Sequence, residues 1–346
     1  MFFCLKKKIL HFKQPAGTSR GVYTTRKIWL VHLSEGDKTG VGECAPLPDL
    51  SCDALPDETY EAKLHQFCQA LCETGELDDD ALRPYPSMRF GLETALLSLL
   101  TSHFPLLFDT PFSRGEEGIP INGLVWMGNY DEMLQRMEEK LEKGFRCVKL
   151  KIGAIDFDQE LDLVKRIRDR FSFHEVELRL DANGAFKYEE ALYKLELLSQ
   201  YAIHSIEQPI RQGQWAYMAE LCRESPLPIA LDEELIGVND PEMKGHMLNI
   251  IKPRYIILKP SLHGGMMGCR EWIETARQQG IGSWITSALE SNIGLNAIAQ
   301  FASDVYGPHI RMPQGLGTGQ LFTDNIPMPL EIRGDMLFFD IRTKET

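Results

Sequence analysis

The sequence is short of positive charge. Its 50 Asp and Glu outnumber its 37 Lys and Arg, for a formal net charge of −13 at pH 7. A surface of that sign has no basic surplus to neutralise phosphates, which excludes nucleic acid as a partner. An anionic substrate would have to be drawn in locally, by a metal ion or a few lysines. Long apolar runs are missing too. None approaches the roughly 20 residues needed to span a bilayer. The opening MFFCLKKKILHF breaks its apolar residues with three lysines, so it lacks the core of a signal peptide. A cytoplasmic protein without a membrane partner is expected. Cysteine occurs eight times but never as CxxC, and Cys68 and Cys72 lie four apart in a helical stretch. Scattered reduced thiols are expected, rather than a zinc site or a disulfide framework.

What is present is the composition of a folded chain, 43% hydrophobic and 25% charged, with a length of 346 residues that suggests about two domains. The two parts differ in texture. GVYTTRKIWLVHLSEGDKTGVGECAP (21–46) reads as two antiparallel strands around a turn at Glu35, Gly36 and Asp37. DETYEAKLHQFCQAL (57–71) and SMRFGLETALLSLLTSHF (87–104) then place apolar residues at helical spacing. Strands followed by helices predict an α+β unit over 1–117, ending in the loop RGEEG. Beyond it, short apolar strands alternate with amphipathic helices: INGLVW, CVKLKIG, VELRLDANG, HSIEQP, PIALDEE, YIILKPS and GSWITSALE are each followed by helical spacing. Strict alternation implies βαβ units and a parallel sheet, and at least seven such strands favour a closed (β/α) barrel over 118–324. An open doubly wound sheet is the alternative. It would be expected to carry G-x-G-x-x-G after its first strand, and INGLVWMGNY does not.

Aligning the barrel strands by their ends brings out a ring of charge. Lys151, Asp181, Glu207, Asp232 and Lys259 each fall near the C-terminal end of a successive strand, the end at which barrel enzymes build active sites. Alternation along the strands supports the alignment, because residues two apart share a face. In CVKLKIG, Val148, Leu150 and Ile152 form the helix-facing set, which turns Lys149 and Lys151 inward. In VELRLDANG, Glu177, Arg179, Asp181 and Asn183 share the inner face; in YIILKPS, Lys259 points in with Ile257. Buried charge is costly unless paired or bound to a ligand. Three carboxylates on adjacent strands make a hard oxygen site suited to Mg²⁺, with Glu234 as a second-choice ligand. A purely structural network of ion pairs would give the same pattern. The chemistry that fits is proton removal beside a carboxylate, with a metal to stabilise the enediolate and a lysine as base. Burial, Lys149 and the metal would lower the pKa of Lys151 for that role, and Lys259 could act as a second acid/base or a fixed cation.

VKLKIG, LDANG, IEQP, LDE and ILKPS, in this order, resemble the enolase superfamily, and Lys-x-Lys with a lysine four strands on resembles its muconate-lactonising branch. The resemblance implies a modified (β/α)7β barrel with an N-terminal α+β capping domain, which residues 325–346 would complete. It implies Asp181, Glu207 and Asp232 as Mg²⁺ ligands, with Mn²⁺ as a possible substitute, and Lys151 and Lys259 on opposite faces of a small carboxylate substrate. QPAGTSRG, GECAPLPDLS, SALESNIGLNAIAQFAS and QGLGTGQLFTDN are similar to the o-succinylbenzoate synthases of menaquinone biosynthesis. Those lyases dehydrate 2-succinyl-6-hydroxy-2,4-cyclohexadiene-1-carboxylate, one lysine taking the proton and returning it to the departing hydroxyl. Dipeptide epimerases of the branch carry Asp-x-Asp where this chain has Ser287 and Leu289. N-succinylamino acid racemases share nearly all these motifs and remain the alternative, and a scaffold that kept the metal ring would be expected to have lost one of the five charged residues. Arg20 and its neighbours Thr18 and Ser19, in a loop expected over the barrel mouth, could meet a substrate carboxylate, as could Ser261 and the glycines of HGG. Arg179 is expected to pair interior acids, Asn183 to support the site by hydrogen bonding, and QGLGTGQ to be the turn that ends the last barrel strand.

Overall fold

The protein is described by a computed structural model, covering residues 1–18 and 21–340. Strands β1 (Phe2–Thr18), β2 (Gly21–Glu35) and β3 (Lys38–Cys44) form an antiparallel sheet in that order, followed by α1 (Asp57–Thr74), α2 (Asp79–Leu82) and α3 (Pro86–Thr101). Strand β2 is apolar on both faces for a reason that period-two geometry makes plain. Trp29, Val31 and Leu33 pack on α1 and α3 through Tyr60, Leu64, Leu92 and Leu99. Ile28 and Leu30 face the other way, against Leu262, Ala288, Leu289 and Ile293 of the barrel. The capping sheet is thus a shared wall between its own helices and the barrel. Helix α3 lies directly on β3 because glycines make room at the crossing, Gly40 and Gly42 on the strand and Gly91 on the helix: a Cβ on Gly42 would stand 1.9 Å from the Gly91 carbonyl oxygen, and one on Gly91 2.2 Å from Cys44 Sγ. Gly42→Ala is therefore expected to destabilise the fold by about 3 kcal/mol, the upper end for overpacking, as read by urea unfolding.

The barrel begins after β4 (Ile119–Pro120), with β5 (Gly123–Val125) and α4 (Tyr130–Glu142). It continues through β6 (Cys147–Lys151), α5 (Phe157–Arg170), β7 (Glu177–Asp181), α6 (Tyr188–Ser199), β8 (Ser205–Glu207) and α7 (Trp215–Glu224). Strand β9 (Ile229–Leu231), α8 (Pro241–Ile251), β10 (Tyr255–Leu258), α9 (Gly265–Gln278), β11 (Gly282–Ile285) and α10 (Asn292–Tyr306) complete it. The seven strands β5–β11 form one parallel sheet in sequence order. The sheet closes through two single bridges, Ile121 to Gln314 and Thr286 to Gly315. Gln314 seals the seam, donating its N–H to Pro120 O at 2.8 Å and accepting the Ile285 N–H on Oε1 at 2.7 Å. This is the modified (β/α)7β barrel with an N-terminal α+β cap. The glycine-rich segment does more than end a strand: it stands in for the eighth.

Strand alternation sorts the interior. Ile256 and Leu258 belong to the large core beneath the helices, while Ile257, Ala230 and Trp284 form a small separate cluster inside the barrel. His204, one residue before β8, does not follow the alternation of that strand. It stacks on Tyr255 and meets Trp284 edge-on, at the inner base of the barrel. After the barrel, residues 321–324 return to the capping sheet: Lys13 donates to Leu321 O and Thr323 to His11 O. The final hairpin, β12 (Leu330–Arg333) and β13 (Met336–Phe339), pairs with β4 at the entrance to the barrel. Its Leu337 and Phe339 are buried in the barrel core. All eight cysteines are free thiols, and no helix among the described residues is long and apolar enough to cross a membrane.

Candidate active site

Parallel register places the charged strand ends side by side. Lys149 is level with Arg179, Lys151 with Asp181, and Asp181 with Glu207. Asp232 follows β9 and Lys259 follows β10. Of these, Lys149, Lys151, Asp181 and Lys259 line the floor of a cavity of about 290 Å³, together with Asn183 and Glu233, while Glu207 and Asp232 are buried and do not line it. Trp126, Ser287, Leu289 and Thr318, with Tyr23, Leu47 and Leu50 of the capping unit, form its walls. Both lysines of Lys-x-Lys thus face the interior, as alternation predicted.

The charges are paired in a definite order. Lys149 Nζ lies 3.0 Å from Asp181 Oδ2 and 2.5 Å from Glu207 Oε2. Lys151 Nζ donates to Asp181 Oδ2 at 3.0 Å and to Asn183 Oδ1 at 2.6 Å, and stands 5.9 Å above the Trp126 ring. Lys259 donates to Asp232. Burial works against the charge on Lys149, but Asp181 and Glu207 outweigh it and raise its pKa. Lys259 is raised likewise, burial being overcome by Asp232, Glu207 and Glu233. Asp181 is held low because Lys149 and Lys151 overcome the burial that would raise it. Glu207 goes the other way: burial first, then the charge of Asp181, pushes it up to about 8.

These acids suit a divalent cation. Glu207 Oε1 and Asp232 Oδ1 are buried and accept no hydrogen bond, so each has a lone pair in want of a cation, and the carboxylates are close enough to repel one another. All the donors are hard oxygens. As they stand, no three His, Cys, Asp or Glu side chains among the described residues are drawn together around one point, because Lys149 and Lys259 hold the acids instead.

Other expected contacts are distributed differently. Asn183, at φ +45°, accepts from Lys151 and donates to Glu233 Oε1 at 2.9 Å. Arg179 is buried below the cavity, where it pairs with Glu177 at 2.7 Å, donates to Pro313 O and stacks on Trp284 at 4.3 Å. It pairs an acid, but one at the barrel's base. Ser261 turns away from the cavity and donates to buried Glu290. Ser287 does line the cavity, bonded to Thr318 at 2.6 Å. Arg20 lies outside the described residues. Glu234, the second-choice ligand, accepts from Gln208 Nε2 at 3.0 Å and the Gly213 N–H at 2.8 Å. Its neighbour Glu233 takes the cavity position, because a 3₁₀ turn over Glu233–Leu235 replaces the strand and period two no longer applies. Trp126 carries no charge that marks it in the sequence, although Asn122, Leu124 and Trp126 all line the cavity at the alternation of an inward strand face.

Residues 132–335 match the enolase C-terminal domain-like family, and residues 18–99 match the MenC N-terminal domain. The o-succinylbenzoate synthase of Desulfotalea psychrophila is 47% identical, over 96% of this chain and 97% of its own length. The chain belongs to the o-succinylbenzoate synthase family of the enolase superfamily. The crystal structure of MenC from Desulfotalea psychrophila superposes with a TM-score of 0.82, at 42% identity, covering 97% of this chain and 99% of that one. The L-Ala-D/L-Glu epimerase of Bacillus subtilis, at 18% identity and a TM-score of 0.80, covers 98% of this chain and 96% of its own and shares the fold. Members of the superfamily are generally divalent-metal dependent, in keeping with the unpartnered oxygens of Glu207 and Asp232.

Proposed function

We propose that this protein is a Mg²⁺-dependent o-succinylbenzoate synthase, with Asp181, Glu207 and Asp232 as metal ligands, Lys151 as the acid/base and Lys259 as a fixed cation. The reaction is the syn-dehydration of 2-succinyl-6-hydroxy-2,4-cyclohexadiene-1-carboxylate to 2-succinylbenzoate, a step of menaquinone biosynthesis. When bound, the metal supplies Lewis-acid stabilisation for the carboxylate oxygens of the enediolate. Lys151, in its neutral form, takes the proton from the carbon that bears the carboxylate. The same Nζ then gives that proton to the neighbouring hydroxyl, which departs as water from the same face and leaves the ring aromatic. Asn183 and Asp181 aim the amine, and Trp126 limits its swing and keeps water from one side. Lys259, held charged by Asp232, faces the developing negative charge from the other wall.

The observation that carries the reading is the placement of two lysines in one cavity with three carboxylates on the strands between them. Where dipeptide epimerases hold an amino group with two aspartates, Ser287 and Leu289 line this cavity and offer no carboxylate. Purified protein mixed with the cyclohexadiene is expected to bleach its ultraviolet absorbance rapidly with Mg²⁺ and not with chelator, and to racemise an N-succinylamino acid slowly or not at all. Racemisation without dehydration would reassign the substrate.

A further inference from the structure

The wall formed by residues 287–289 is held from outside the barrel. Arg26 of β2 and Glu43 of β3 are almost wholly buried between the capping sheet and the loop that follows β11. Arg26 donates from Nε to Leu289 O at 3.1 Å and from Nη2 to Ala288 O at 3.3 Å, and anchors itself on the Ala45 and Pro46 carbonyls. Glu43 accepts the Ser291 N–H at 2.8 Å, the Ser291 hydroxyl, and the Gly294 N–H at 2.9 Å, closing the N-terminus of α10. Glu290 ties the same loop inward, accepting from Ala288 N at 2.6 Å and from the Ser261 hydroxyl. Between these clamps Leu289 has φ +65°. A branched, bulky residue adopts that conformation only when its surroundings over-determine it, and here the surroundings are supplied by the capping sheet.

We propose that Arg26 and Glu43 are specificity-determining positioning residues, which touch no substrate but fix the cavity-lining segment 287–289 from the capping sheet. The inference rests on the function proposed above. It accounts for the charge of both side chains. Every partner of Glu43 is a donor, so only a carboxylate serves: an amide would turn its NH₂ toward the Ser291 or Gly294 donors. Arg26 meets four backbone carbonyls, which need several donors in a fixed fork. Selectivity for the succinyl substrate would then depend on residues about 250 positions away in sequence from the wall they hold.

The test uses full-length Glu43→Gln and the milder Ser291→Ala, which leaves Glu43 two of its donors and reads the contact if the first variant does not fold. Amide hydrogen exchange over 286–291 is expected to speed up about tenfold, with exchange at β7 and β8 unchanged. KM for the cyclohexadiene should rise about tenfold with kcat within about threefold, and preference over an N-succinylamino acid should fall. Unchanged exchange over 286–291 in a folded variant overturns the proposal. So does faster exchange with KM and preference unchanged, or a loss confined to kcat. A wild-type protein that does not dehydrate the diene overturns the functional reading alone, because exchange still decides whether Glu43 holds the segment.

Discussion

Lys151→Ala is expected to fold and to lose dehydration by about 10⁴-fold in kcat, the upper range for removal of a general acid/base. Folding should survive because the charge that Lys151 pairs, Asp181, keeps Lys149 at 3.0 Å. Asn183 and the cavity side of Asp181 can be met by water where the ammonium stood. Lys151→Arg should fail nearly as badly, since a guanidinium stays charged and cannot accept a proton. That comparison separates a base from a mere cation. The opposite contrast applies across the cavity. If Lys259 acts only through its charge, Lys259→Arg should retain much more activity than Lys259→Met, for which a loss of about 10²–10³-fold is expected. Stopped-flow loss of the diene measures all four, and wild-type turnover in Lys151→Ala would end the assignment of the base.

Metal affinity is expected to be steeply pH-dependent, and Glu207 is the reason. Burial and the neighbouring charge of Asp181 push its carboxyl up to about 8 in the metal-free protein, yet a carboxylate ligand must be ionised. Binding at pH 7 should therefore release close to one proton, and Mg²⁺ affinity should rise about tenfold per pH unit from pH 6 and level off above 8. Titration calorimetry in two buffers of different ionisation heat reads the proton directly. Stability follows with a determined sign. A carboxyl whose pKa is raised on folding contributes stability at low pH, which is lost as pH rises through its folded value. Metal-free protein should accordingly lose thermal stability between about pH 4.5 and 8, and Mg²⁺ should restore more at pH 8 than at pH 6. Asp181, held low by Lys149 and Lys151, acts in the opposite sense and only in acid. A Mg²⁺ affinity that does not change between pH 6 and 8 would remove Glu207 from the ligand set or its proton from the site.

The barrel and the identity of the charged ring are legible in the order of the residues, for a physical reason that is local. A strand has a period of two and a βα unit a near-constant length. The ends of β6 to β10 therefore carry Lys151, Asp181, Glu207, Asp232 and Lys259 at matching positions, with Lys149 on the same face as Lys151. Where the backbone leaves that regularity the reading fails: a single 3₁₀ turn sends Glu234 to Gln208 and Gly213 and puts Glu233 in the cavity. Residues chosen for type at a strand end divided for the same reason, Ser287 reaching the cavity and Ser261 the buried Glu290. The hold of Arg26 and Glu43 on the loop after β11 was illegible for a different cause. It depends on how one apolar face of β2 packs against the barrel, and no periodicity along the chain records which surface a face will meet. Local geometry set the chemistry of the floor; only tertiary packing decided the wall.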